Sequence, residues 1–147
     1  MAATGRLVFY WSSFEQALAR AIAEAHKLLL NEEPEPVRGG LVDRLDLWRE
    51  LMLRLPGSAE HASTMDTLRD QALKLREIRN LIVHGVVSGH ARPDNGEPAH
   101  ISCTVGGFEK PTGEVRRITL GELEHFVEAI DACRRGCEDP RRFNYRL

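Results

Sequence analysis

Arg79, Asn80 and His84 place a planar cation, an amide and an imidazole within the six residues Arg79-Asn80-Leu81-Ile82-Val83-His84. An arginine fork neutralises phosphoryl or carboxylate oxygens, and an imidazole exchanges a proton near neutral pH. On a helix turning about 100° per residue, Leu68, Ala72, Leu75 and Ile82 centre on one apolar arc, and Arg79 falls inside it. A desolvated guanidinium is costly unless it is paired. Something must therefore meet Arg79: a carboxylate, a partner subunit or an anionic ligand. Arg69 and Arg76 lie away from the arc and need no such explanation, and Arg76 is a surface cation within reach of a substrate. His84 stands about 140° round an ideal helix from Arg79, so the two share no face if the helix is straight. Gly85 follows at once as a candidate helix stop. A histidine in a last helical turn sits at the negative end of the helix dipole, which suits a general acid or a phosphate-binding cation. A helix running on through Val86-Val87 weakens that argument.

The elements that must position these residues are legible as periodicity. Leu7, Trp11, Phe14, Leu18, Ala21, Ile22, Ala25 and Leu29 recur at three- and four-residue steps, predicting a first helix from about Leu7 to Leu30. The run Asn31-Glu32-Glu33-Pro34-Glu35-Pro36 ends it, and Gly39-Gly40 extends the break. Leu41, Leu45, Trp48, Met52 and Leu55 give a second helix, closed by Pro56-Gly57. A third helical stretch begins near Ser58 and ends near Gly85. Residues 88–100 have loop composition, and Ala99–Val105 and Glu114–Thr119 read as a β-hairpin. Thr119-Leu120-Gly121-Glu122 is a capping box that starts a last helix, with Gly136 as its stop. The fold class is all-α: a four-to-five-helix up-and-down bundle with a small β-hairpin inserted at about 99–119, before the last helix.

The chain has 147 residues, 42% hydrophobic and 29% charged, which fits one domain over 1–147 and excludes a disordered or membrane-spanning protein. A net charge of −2 excludes bulk attraction to nucleic acid, so an RNA or DNA binder needs a local basic patch. Aromatic residues are only 6%, too few for binding by base stacking on many rings. All but three of the 20 basic residues are arginines, a bias that codon usage in a GC-rich genome explains. Three cysteines are an odd number in a chain able to fold without staples, which points to a reducing, cytoplasmic setting.

The run Arg79-Asn80-x-x-x-His84 near the end of a bundle helix resembles the R-x4–6-H motif of HEPN domains, in which a polar residue after the arginine is typical. The long first helix with Glu15 among its apolar positions, the second helix and the motif-bearing stretch extend the resemblance over about residues 7–87. The resemblance implies a bundle that dimerises, bringing two motif copies into one cleft. It further implies a metal-independent endoribonuclease, toxin-like or a defence effector, with RNA as substrate and no cofactor. In that role His84 is the acid or base, Arg79 clamps the phosphate, and Asn80 orients the substrate or the arginine. Implied partners are a second copy and an antitoxin or nucleotidyltransferase. Some relatives carry a tyrosine two residues after the histidine that such an antitoxin modifies, and this chain departs from them with Val86.

Other readings stand beside this one. The family also contains non-catalytic nucleotide- or protein-binding modules, and a plain bundle would use Arg79 in a structural ion pair. Glu15, at the edge of the first apolar stripe, is placed either to pair with Arg79 or to face solvent. Cys133 and Cys137 with His125 invite a zinc reading, but only Cys103 remains to complete a site, so the thiols read as buried apolar groups. The tail over about 138–147 is basic, and with Arg134 and Arg135 reads as a solvated end.

Overall fold

Leu7, Trp11, Phe14, Leu18, Ile22 and Ala25 are all buried along one side of the first helix, so the stripe read from spacing is the seam that packs. The structure, a computed structural model, describes residues 2–31, 37–90, 96, 98–106 and 112–145, with Val87 and His90 described in backbone only. Helix α1 is Ala2–Leu30, α2 Leu41–Arg54, α3 Ala62–Gly85 and α4 Leu120–Glu138. Strands β1 (Val86–His90), β2 (His100–Thr104) and β3 (Val115–Thr119) lie between α3 and α4.

Each boundary has a local cause. Asn31 ends α1 in the left-handed region at φ 51°, and its N–H donates to the Lys27 carbonyl at 3.1 Å. The predicted break over 32–36 lies outside the described residues. Gly57, at φ 75°, supplies the turn after α2 that Pro56 introduces. Thr119 caps α4 reciprocally: its Oγ1 accepts from the Glu122 N–H at 3.1 Å, and its own N–H donates to Glu122 Oε1 at 3.2 Å.

The architecture is mostly helical, four α-helices with a three-stranded antiparallel sheet in the order β1-β2-β3 before the last helix. It is therefore not all-α. The hairpin β2–β3 is joined by β1, read beforehand as loop beyond Val87. Its Val-Val-Ser-Gly-His sequence carries little strand signal, and pairing with β2 imposes the conformation. Residues 91–95 of the expected loop lie outside the described residues. Gly136 does not stop α4, which continues to Glu138. A side chain there would run into Leu68 and come within 2.8 Å of the Phe143 Cβ, so the glycine lets α4 close on its neighbours.

Up to Tyr145, the segment after α4 is anchored to the body of the protein. Phe143 is buried, and the Tyr145 carbonyl accepts from Gln71 Nε2 at 2.9 Å. Arg134 pairs with Asp131 at 2.8 Å and Arg141 with Asp139 at 3.0 Å, the latter holding the Asp139 carboxyl below its usual range. Arg141 and Arg142 nevertheless remain exposed, as a solvated basic segment would be, while Pro140 and Phe143 anchor it to the body. Among the described residues no helix is long and apolar enough to cross a membrane.

Candidate functional site

α3 does two jobs with its two faces. Leu68, Ala72, Leu75 and Ile82 bury against the core, while Lys74, Glu77, Asn80 and His84 run along an outer face at three- and four-residue steps. That outer face forms one wall of a cleft of about 1020 Å³. Ile78 and Leu81, half-buried, give it an apolar floor. The opposite wall is the hairpin, through Val105, Gly106, Glu114 and Arg116. Small-ligand pockets span roughly 300–1,000 Å³, so this open space also suits an extended ligand.

The helix stops where the motif ends. Gly85 is its last residue, and Val86 leaves with extended backbone at ψ 120°. Gly85 is not in the left-handed region, so it does not act as a conformational stop. Its missing side chain matters for another reason: a Cβ would sit 2.6 Å from the Thr104 carbonyl oxygen. The glycine lets β2 press against the end of α3, directly beside His84.

His84 is exposed in the last turn of α3, on the cleft, and Asn80 lies one turn back on the same wall. Arg79 does not line the cleft; the angular separation from His84 read off the helix holds. It is half-buried, its Nε is enclosed without a partner, and its Nη1 donates to Asn80 Oδ1 at 2.8 Å. The stem thus lies among apolar groups, and the fork emerges to take the neighbouring amide. With Oδ1 engaged by Arg79, the Asn80 amide nitrogen is left to donate into the cleft. Among the described residues no carboxylate pairs with Arg79.

Glu15 does not meet Arg79. It accepts from Trp11 Nε1 on its own helix, one turn back. Arg76 is half-buried and does not line the cleft. Sequence reading missed Lys74, Glu77, Glu114 and Arg116 as cleft residues. The spacing of Lys74, Glu77, Leu81 and His84 on one helical face was available as a signal; the side of β3 on which Arg116 emerges was not.

The zinc reading finds no support in geometry. Cys103, Cys133 and Cys137 are free and buried, and no group of three or more His, Cys, Asp or Glu gathers among the described residues. His125 instead meets the Tyr145 hydroxyl, with Nδ1 at 2.5 Å. Burial pushes the Cys133 thiol up to about 12 and the Cys137 thiol well above its ordinary value. These thiols stay protonated in the fold, whereas unfolded thiols ionise from about pH 8.5, so their contribution to stability falls as pH rises above that point. No family model, curated protein or solved structure matches this chain.

Proposed function

We propose that this chain is a HEPN-type, metal-independent endoribonuclease, toxin-like or a defence effector, working as a homodimer with Asn80 and His84 in a shared cleft and Arg79 behind its wall, holding Asn80. The observation that carries the reading is an arginine half-buried without a carboxylate, bonded to an amide that shares an open cleft with an exposed histidine. A structural ion pair would have supplied the carboxylate.

The chemistry is a transesterification. An RNA 2′-hydroxyl attacks the adjacent phosphorus, the P–O2′ bond forms and the P–O5′ bond breaks, leaving a 2′,3′-cyclic phosphate and a 5′-hydroxyl. One imidazole takes the 2′-hydroxyl proton and a second returns a proton to the departing 5′-oxygen. Two protomers supply the two copies of His84. The Asn80 amide nitrogen donates to a non-bridging oxygen, and Arg79, which does not line the cleft, holds that amide in place through its Oδ1.

The cleft wall suits a two-fold contact. Lys74 and Glu77 lie one turn apart at the near end of this wall, and a two-fold axis passing between them would set each Lys74 against the other copy's Glu77, with Leu81 at the margin of the contact and the rest of the cleft open. Sedimentation is expected to give a dimer for the wild type, and a monomer with unchanged helical circular dichroism for Leu81→Asp. A monomeric wild type overturns the dimer.

The reaction is tested with purified protein in EDTA on an oligoribonucleotide and on its fully 2′-deoxy counterpart. Cleavage of the ribo form alone, leaving a cyclic phosphate, is the expected result. Cleavage of both sinks the 2′-hydroxyl mechanism. Binding without cleavage favours the second reading, a nucleotide-binding module, for which the apolar floor of Ile78 and Leu81 already speaks.

A further inference from the structure

The direction in which each β3 side chain points is fixed by strand pairing. Ile101 stands opposite Ile118 and Cys103 opposite Arg116 in the β2–β3 ladder. Residues directly opposite in an antiparallel pair lie on the same face of the sheet. Ile101, Ile118 and Cys103 are all buried, so that face is the one turned to the helices. Arg116 therefore leaves β3 toward α3, beyond the edge of the core, and lines the cleft across from the motif. Burial raises the Cys103 thiol, and the nearby Arg116 guanidinium acts on the same thiol in the opposite sense, which fits this direction.

Two further observations make Arg116 a functional group. Arg116 forms no ion pair among the described residues; Arg6, Arg20 and Arg76 form none either, and of these Arg116 is the one that lines the cleft. The sheet that carries it also lies close against the end of the motif helix, because Gly85 admits the Thr104 carbonyl where any side chain would collide. An exposed guanidinium with no ion pair among the described residues, sharing an apolar-floored cleft with an imidazole, fits a chain of phosphates with a base resting between them.

We propose that Arg116 is a substrate-binding residue that grips a phosphate of single-stranded RNA neighbouring the one presented to His84, which makes the hairpin a working wall of the site. The identity of the ligand as RNA rests on the endoribonuclease reading; the placement of an anion at Arg116 does not. Such a clamp sets how many nucleotides the cleft needs on one side of the cut.

The probe is a fluorescein-labelled 2′-O-methyl octaribonucleotide, which lacks the attacking hydroxyl and reports binding alone by anisotropy. Arg116→Ala is expected to weaken binding about tenfold and to lower the slope of log affinity against log salt by about 0.7. Arg116→Lys keeps the charge but not the fork and falls between. Arg117→Ala, on the opposite face of β3, changes neither quantity. Unchanged binding by Arg116→Ala overturns the clamp, as does a loss that comes with dissociation to monomers or an absence of binding by the wild type. Weakened binding when no preparation cuts RNA upholds the clamp and removes the nuclease. Ribose-dependent cleavage that Arg116→Ala leaves intact, with unaltered binding, does the reverse.

Discussion

Arg79→Met is expected to melt no earlier than the wild type while losing about 10²–10³ of the cleavage rate, the scale of losing one donor from an oxyanion site, here the Asn80 amide that Arg79 holds. The two halves of that expectation come from one feature. The Arg79 Nε is enclosed without a partner, and the guanidinium has an amide where a structural arginine would have a carboxylate. Replacing a half-buried guanidinium whose Nε has no partner by an apolar side chain of similar volume costs little, because the desolvated nitrogen is removed with it. A structural arginine behaves in the opposite way, since removing it costs stability and leaves chemistry untouched. His84→Ala is expected to remain folded, because the ring is exposed, and to lose about 10²–10⁴ of the rate as a general acid–base group. Thermal melts beside EDTA-resistant cleavage separate the cases. Arg79→Met with a lower melting temperature and full activity would return Arg79 to a structural role.

Much of the frame behind that site is written in local signals. The capping box at Thr119 starts α4 where its spacing says it should, because Thr and Glu three residues apart satisfy two N-terminal amides without help from the rest of the fold. The hairpin strands fall within a residue of their expected ends. β1 was not legible, since its five residues alternate weakly and owe their conformation to a neighbour. Gly85 and Gly136 show the limit from another side. Both sit where a glycine reads as a helix stop, yet each is there because another segment approaches too closely for a Cβ. Sequence position reveals the glycine; only packing reveals which of its properties is used.

The site divides in the same way. That Arg79 would be drawn inward was readable from its place on the apolar arc, and that it and His84 would face apart followed from the angle between them. Which group met Arg79 depended on how far its stem lay inside, and Asn80 answers where Glu15 was a candidate. Arg116 could not be placed from its own segment, because its side of the sheet follows from the register with Cys103 and the burial of Ile118.

The second large effect is expected at Trp48, far from the chemistry. Its ring is fully buried, and its Nε1 donates to the Cys137 carbonyl at 3.2 Å. Cys137 lies in the last turn of α4, where carbonyls have no partner within the helix, so the indole both fills the core and satisfies the end of another helix. Trp48→Ala is expected to cost about 3–5 kcal/mol, against the roughly 5–15 kcal/mol that holds a typical domain together. Trp48→Phe retains most of the volume but leaves that carbonyl buried and unpaired, a loss of about 1–3 kcal/mol. Urea unfolding should show both as shifts of the midpoint at unchanged slope. The order matters more than the sizes: a phenylalanine as damaging as alanine would assign the energy to the hydrogen bond, and a harmless alanine would mean the indole is not seated between α2 and the end of α4. Because Gly136 sits in that same turn against Leu68 of α3, loosening it frees the root of the helix whose far end carries Arg79 and His84. Activity in Trp48→Ala should therefore fall only as the folded fraction falls, in contrast to the motif variants, which lose rate while fully folded.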